Sequence, residues 1–126
     1  MEAKELKEYA IININTAESI FGVSLNFDEP SILMIDELIH TAWPEEPPAL
    51  LDNMILLWGS FLGEAIIKTL GGEWIESTDG WCVQIGDLKI MVFNKIKKRF
   101  LNGDEDSISY YYQSLKQGLE TDFSYL

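Results

Sequence analysis

The sequence predicts an α+β fold: N-terminal helices and a long central helix packed on a three-stranded antiparallel meander, followed by two C-terminal helices. Three observations support it. Apolar residues recur at helical spacing as far as Leu70, Gly71-Gly72 then ends that pattern, and three short runs with strand character follow. The 126 residues suffice for one domain with a single core.

Two helices are predicted in the acidic N-terminal part, residues 1–49, which we expect to cover the rest of the domain. The first spans residues 3–21, and Gly22 can end it in a left-handed conformation. Asp28 is expected to cap the second, with Pro30 in its first turn. Pro44 ends this second helix, because the residue before a proline is pushed out of the helical region.

The central helix is predicted to start near Pro48 or Ala49 and to end at Leu70. Its apolar residues lie on two sides, which is typical of a helix buried between other elements. Gly59 and Gly63 each cost about 1 kcal/mol relative to alanine inside a helix. We therefore expect another backbone to pack closely against them.

Three strands and two helices are predicted for the remainder. Residues 73–77, 81–85 and 88–93 alternate like strands and are separated by Asp-Gly and Gly-Asp turns. Residues 94–101 then resume a helical pattern, and Asp104 is expected to cap a final helix that ends near Gly118. Residues 113–126 would form the end of that helix and a tail.

Charge is distributed unevenly along the chain. The formal net charge is −12, and residues 8–67 contain no lysine or arginine. A long acidic span repels nucleic acid and attracts a basic protein surface, so we expect a protein partner and no nucleic acid. The acidic residues predicted to face that partner are Glu18, Asp28, Glu29, Asp36, Glu37, Glu45 and Glu46.

A basic cluster follows the strands, and it has two interpretations. It could bind an anion, or it could pair with the acidic surface around it. The net charge of the whole chain favours pairing, because nucleic-acid binders usually present a basic domain. The cluster consists of Lys95, Lys97, Lys98 and Arg99.

Few residues suggest catalysis, and neither a metal nor a cofactor is predicted. His40 is the only histidine, so Glu37-x-x-His40 cannot build a paired metal site. Glu64 is a catalytic candidate if it is buried, but Lys68 four residues on predicts an ordinary exposed ion pair. Cys82, the only cysteine, is expected to be buried and structural.

The lack of a disulfide pair favours a cytoplasmic protein, and the N-terminal residues do not resemble a signal peptide. No apolar run is long enough to predict a membrane span.

Three motifs stand in order within residues 50–112: G-S-F-L-G-E at 59–64, G-G-E-W at 71–74 and I-K-K-R-F-L-N-G at 96–103. They resemble the G-x-x-x-G-[ED], G-x-W and I-x-K-R-x-x-x-G landmarks of a family of small bacterial proteins that is labelled only as a domain of unknown function. A looser similarity includes Trp43-Pro44. The resemblance implies a small α+β domain without an established activity, and some small acidic bacterial proteins serve as immunity partners of toxins.

The charge pattern favours a non-catalytic protein-binding module, of inhibitor or toxin-immunity type, that meets a basic partner. The alternative is a small-molecule-binding protein or a small enzyme that uses Glu64, together with a tyrosine or with Lys97 and Arg99. A third hypothesis is a structural homo-oligomer joined through the strands or the central helix.

Overall fold

Helices and one small sheet follow each other in the predicted order. The structure, a computed structural model, describes residues 1–124, with side chains as far as Glu120. The predicted α+β class is confirmed. The end of the predicted tail, residues 125 and 126, lies outside the described residues. The elements are α1 (Ala3–Phe21), α2 (Glu29–Ala42), α3 (Leu51–Leu70), β1 (Glu73–Ser77), β2 (Gly80–Ile85), β3 (Leu88–Ile90), α4 (Val92–Asn102), a 3-10 turn (Gly103–Asp106) and α5 (Ile108–Ser124).

The ends of α1 and α2 are those that the sequence predicts. Gly22 adopts a φ of 67° and donates its N–H to the Glu18 carbonyl, which closes α1. The Asp28 carboxylate accepts the Ser31 N–H at 2.9 Å and so caps α2. The N–H of Trp43 bonds to the carbonyl four residues earlier, and the helix stops there, before Pro44.

Helix α3 lies at the centre and packs against α1, α2, α4 and β2. Its middle, residues 58–66, is buried except for the half-buried Glu64, as expected for a helix that is apolar on two sides. It starts at Leu51, later than predicted, because Leu50 has non-helical backbone angles and no side chain caps the first turn.

The sheet is an antiparallel meander in the order β1-β2-β3. Ser77 pairs with Gly80 at the first turn, and Ile85 pairs with Leu88 at the second. The third strand is shorter than predicted and stops at Ile90, while Val92 already begins α4. The apolar run at 90–93 fits the two-residue period of a strand as well as the 3.6-residue period of a helix. The helix forms because Val92 and Ile96 then lie on one buried helical face.

The last helix begins later and ends later than predicted. Asp104 does not cap it; the residue lies in the 3-10 turn and its side chain is 93% exposed. Ser107 precedes the helix and its hydroxyl accepts the Tyr110 N–H at 3.2 Å, which is the geometry of a serine cap. Gly118 lies within α5 and does not end it.

Candidate functional site

Two aromatic rings pack against α3, where two glycines leave room for them. The ring of Trp74 covers Gly63, the ring of Phe93 covers Gly59, and a Cβ on either glycine would overlap ring atoms. The two rings stack with centroids 5.7 Å apart and planes 23° apart. The nearest neighbours of the glycines are therefore side chains from β1 and α4, which corrects the prediction of close backbone packing.

Glu64 belongs to the same packing unit. Its carboxylate accepts a hydrogen bond from Trp74 Nε1 at 2.6 Å, and its side chain is half-buried. Within residues 1–120 it forms no ion pair with Lys68, so the predicted exposed pair is wrong. The contact fixes the indole ring over Gly63, and the geometry therefore gives Glu64 a positioning role in the fold.

Replacing Glu64 with glutamine is expected to lower the free energy of unfolding by about 1 kcal/mol, because a charged acceptor is exchanged for a neutral one. Urea denaturation followed by circular dichroism measures the change. Glu73→Gln, at an exposed carboxylate on β1, serves as the control and should stay within about 0.5 kcal/mol of the wild type. Equal stability of the two variants would show that the hydrogen bond contributes nothing.

Asp36 joins α2 to the C-terminal part of the chain. Its Oδ1 accepts hydrogen bonds from Arg99 Nε at 2.8 Å and from the Ile108 N–H at 2.9 Å. Its Oδ2 accepts from the Ser107 hydroxyl and from the Ser109 N–H, both at 2.9 Å. Arg99 also donates Nη2 to the Asp36 carbonyl at 3.2 Å. One carboxylate thus caps α5 and neutralises a buried guanidinium.

The environment of Asp36 favours its charged form. Burial alone raises the pKa of the carboxyl, but the hydrogen bonds from Ser109, Ile108, Arg99 and Ser107 outweigh burial. The pKa of Asp36 therefore lies below its ordinary value of 3.8. The side chain remains an anion at neutral pH, and its oxygens are already occupied.

The predicted partner-binding acids separate into two groups. Asp28 caps α2, Glu29 pairs with Lys116 at 2.9 Å, and Asp36 holds Arg99, so these three already have partners inside the chain. These three carboxylates are therefore less available to a partner protein, and the predicted partner-binding surface becomes smaller. The other four carboxylates are exposed: Glu18, Glu37, Glu45 and Glu46.

The basic cluster separates in the same way. Lys95 pairs with Asp106 at 3.1 Å, and Arg99, whose side chain is 5% exposed, is held by Asp36. Lys97 and Lys98 are exposed. Two of the four candidate anion-binding residues are thus used within the fold, as the alternative interpretation of pairing predicts.

One groove collects acidic residues from two distant parts of the chain; we call it the acidic groove. It has a volume of about 260 Å³ and lies between the α2–α3 linker and the 3-10 turn. Glu45 and Glu46 come from the linker, and Asp104 comes from the turn. Sequence reasoning missed Asp104 because it was assigned to a helix cap. The described residues that line it are Ile39, His40, Trp43, Pro44, Glu45, Glu46, Pro47, Arg99, Phe100, Leu101, Gly103 and Asp104.

The remaining candidates are a buried cysteine and an exposed histidine. Cys82 is fully buried in β2, which confirms its predicted burial. His40 is exposed on the rim of the acidic groove. In the described part of the chain, His, Cys, Asp and Glu form no group of three that could hold a metal ion. Among residues 1–124, no helix has both the length and the apolar character that a membrane crossing requires.

The chain matches no protein-family model, no curated protein and no solved structure. The resemblance to a bacterial domain of unknown function therefore stays a prediction. Its landmark positions nevertheless have physical roles in this chain. Gly59, Gly63, Glu64 and Trp74 form the ring-on-helix packing unit, and Arg99 is the buried cation that binds Asp36.

Proposed function

We propose that this chain is a cytoplasmic, non-catalytic module of inhibitor or toxin-immunity type, and that its acidic groove receives a basic segment of a partner protein. The observation that supports the proposal is the meeting of Glu45, Glu46 and Asp104 in one groove. Three exposed carboxylates at one place attract a lysine or arginine side chain and accelerate its encounter with the groove.

The charges within the groove also support binding of a basic segment. Among the described residues that line the groove, Arg99 is the only lysine or arginine, and Asp36 already neutralises it. Its Nη2 also lies 3.5 Å from an oxygen of Asp104, a contact at the solvent-exposed edge that is weak by nature. The groove therefore keeps a negative balance that an incoming cation can satisfy.

The apolar lining suits the stem of a long basic side chain. Trp43, Pro44 and Pro47 line the groove beside the carboxylates. Lysine and arginine bury their methylene groups along such surfaces and keep the charged head in contact with acids or aromatic faces. A basic peptide segment fits this chemistry better than a small anion or a nucleic acid does.

The test compares two triple variants that lose the same charge. The groove variant is Glu45→Gln, Glu46→Gln and Asp104→Asn. The control is Glu73→Gln, Glu76→Gln and Asp79→Asn, at exposed positions of β1 and of the turn that follows it. Tagged wild type and both variants are used to capture proteins from a lysate of the source cells at low and high salt.

We expect a basic protein that the wild type and the control retain at low salt and that the groove variant binds about tenfold more weakly. Three rim ion pairs of about 0.5 kcal/mol each sum to about 1.5 kcal/mol, which is close to a tenfold change. Binding of the captured protein, once purified, should weaken as salt rises. If both triple variants lost the same binding affinity, the acidic groove would not be the binding site, and the loss would reflect only the change in net charge.

A further inference from the structure

A second concavity lies between α1, the end of α2 and the first half of α3; we call it the α1–α3 cavity. Its volume is about 410 Å³, and its described lining is largely apolar, with Phe21, Met54 and Trp58 among its residues. None of the described side chains that line it carries a charge. Walls of methionine and aromatic residues suit a bulky apolar side chain, and such side chains are the usual anchors of a bound peptide segment.

Trp43 lies at the boundary between this cavity and the acidic groove. It lines both concavities, and its ring packs edge-to-face on Phe100 of the acidic groove with centroids 5.5 Å apart. A further concavity, lined by residues 42–49, shares Trp43 with both, Ala42 with the cavity and Glu45 with the acidic groove. The α1–α3 cavity and the acidic groove therefore belong to one continuous surface.

The charges on this surface indicate what binds there. The cavity lining and residues 42–49 both fall within the stretch 8–67, which contains no lysine or arginine. The exposed carboxylates of Glu45, Glu46 and Asp104 attract a basic segment and repel an acidic one. In the uncharged cavity, a cation would lose its hydration without gaining a counterion. The surface as a whole therefore suits a segment in which apolar and basic residues stand close together.

We infer that the basic segment of the partner also carries a bulky apolar residue near its lysine or arginine, and that the α1–α3 cavity receives this residue while the acidic groove receives the cation. The inference rests on the proposed function and specifies the chemistry of the partner. Exposed ion pairs contribute little to affinity, whereas burial of one large apolar side chain contributes more. The carboxylates thus steer the segment, and the cavity anchors it.

The rim of the cavity offers a position that tests this division without disturbing the core. Ile20 lines the cavity and is 69% exposed, so it lies where the cavity meets solvent. Ile11 is 44% exposed on the same helix. Nine residues make about two and a half helical turns, which puts Ile11 on the opposite side of α1. Ile11→Gln is therefore a matched control for Ile20→Gln.

The experiment uses three synthetic peptides of equal length, whose flexible glycine–serine spacers let the charged and apolar parts reach separate sites. The arginine–leucine peptide has two arginines in the middle and two leucines at each end, so either chain direction fits. Serines replace the leucines in the arginine peptide, and glutamines replace the arginines in the leucine peptide. Each peptide is titrated into the isotope-labelled full chain at low salt, and the indole N–H signals of the four tryptophans are followed by NMR.

The tryptophans report on different places. Trp58 lines the cavity but not the acidic groove, Trp43 lines both, and Trp74 and Trp81 line neither. We expect the arginine peptide to shift the signal of Trp43 alone. The arginine–leucine peptide should shift those of Trp43 and Trp58 and bind about tenfold more tightly than the arginine peptide, because it also buries a leucine. The leucine peptide should bind about tenfold more weakly than the arginine–leucine peptide.

Two protein variants separate the contributions. Ile20→Gln should weaken the arginine–leucine peptide about threefold by removing apolar contact at the rim, and Ile11→Gln should leave its affinity unchanged. The groove variant Glu45→Gln, Glu46→Gln and Asp104→Asn should weaken both arginine-containing peptides about tenfold and leave the leucine peptide unchanged. The comparison of the three peptides on the wild type needs no variant, so it stands even if a variant does not fold.

Several results would overturn the inference. Equal affinity of the arginine and arginine–leucine peptides, with the Trp58 signal unchanged, would exclude the cavity and leave the proposed function of the acidic groove intact. Equal affinity of the leucine and arginine–leucine peptides would show that the cavity takes apolar groups without a cation, and would count against the acidic groove as well. A Trp58 signal that moves on dilution of the free chain would show that a second copy fills the cavity. Shifts confined to Trp74 or Trp81, or no shift with any peptide, would place the binding of such segments outside this surface.

Discussion

Replacing Asp36 with alanine is expected to lower the free energy of unfolding by about 3 kcal/mol, the largest loss that we predict for a single polar residue. The substitution leaves the buried guanidinium of Arg99 with only its 3.5 Å contact to the exposed Asp104, and removing one partner of a buried ion pair typically costs about 3–5 kcal/mol. It also removes the acceptor for the N–H groups of Ile108 and Ser109 at the start of α5. Urea denaturation at neutral pH measures the difference.

The matched control is Glu37→Ala, at the next residue of α2. Glu37 is exposed, and its loss should change stability by no more than about 0.5 kcal/mol. If both variants unfolded at the same urea concentration, the Asp36 contacts would contribute no more than an ordinary surface carboxylate.

The difference between wild type and Asp36→Ala should depend on pH in one direction. Because folding lowers the pKa of Asp36 below its ordinary value of 3.8, the folded state prefers the carboxylate. The stabilisation is complete above that ordinary value and is lost as the pH falls through the lower pKa of the folded state. The stability difference should therefore be constant near neutral pH and shrink below about pH 4. A difference that persisted unchanged in strong acid would contradict a carboxylate-based contact.

Replacing Gly63 with alanine is expected to destabilise the fold by about 2 kcal/mol, although alanine is the better helix former by about 1 kcal/mol. The new methyl group would overlap the indole ring of Trp74. That ring cannot move freely, because Glu64 holds its Nε1 and Phe93 stacks on its face. Overpacking therefore outweighs helix propensity. Thermal and urea unfolding of the variant measure the net effect.

Gly118→Ala provides the opposite control within the same chain. Gly118 lies inside α5, and a Cβ there would meet no atom within 4 Å among the described residues. The substitution should stabilise the protein by up to about 1 kcal/mol, since only helix propensity changes. If both glycine variants were stabilised, Trp74 would be free to move away and the packing unit would be loose.

The sequence predicts the elements well where their signals are local. Asp28 with Pro30 marks the start of α2, Gly22 marks the end of α1, and Asp79-Gly80 marks the first hairpin turn, all as expected. Each of these signals acts over a few residues through a cap or a turn. The fold class follows from them without tertiary information.

The mistaken boundaries lie where distant residues decide the local structure. The apolar run around Val92 fits a strand as well as a helix, and burial of one helical face settles it. Glu64 has a lysine at the spacing of an ordinary ion pair, yet it binds an indole that arrives from β1. Local spacing cannot reveal such a partner.

The candidate sites were predictable only in part. The acidic residues of the α2–α3 linker are visible in the sequence, but Asp104 joins them only when the chain folds. Asp36 looks like another surface acid until Arg99 is seen beside it. Trp43 stands beside a helix-ending proline in the sequence, and only the folded chain places it between the α1–α3 cavity and the acidic groove.

Asp36 forms hydrogen bonds to residues that are distant in the sequence, and this separation implies an order in which the helices assemble. Its carboxylate accepts the N–H groups at the start of α5 from residues 72 and 73 positions away in sequence. That acceptor is in place only once α2 has formed and lies against the start of α5, so α2 acts as a template on which the last helix is completed. Contacts this distant in sequence form slowly, because a long loop must close first. We expect the C-terminal helix to be the last part of the molecule to gain protection from hydrogen exchange during refolding.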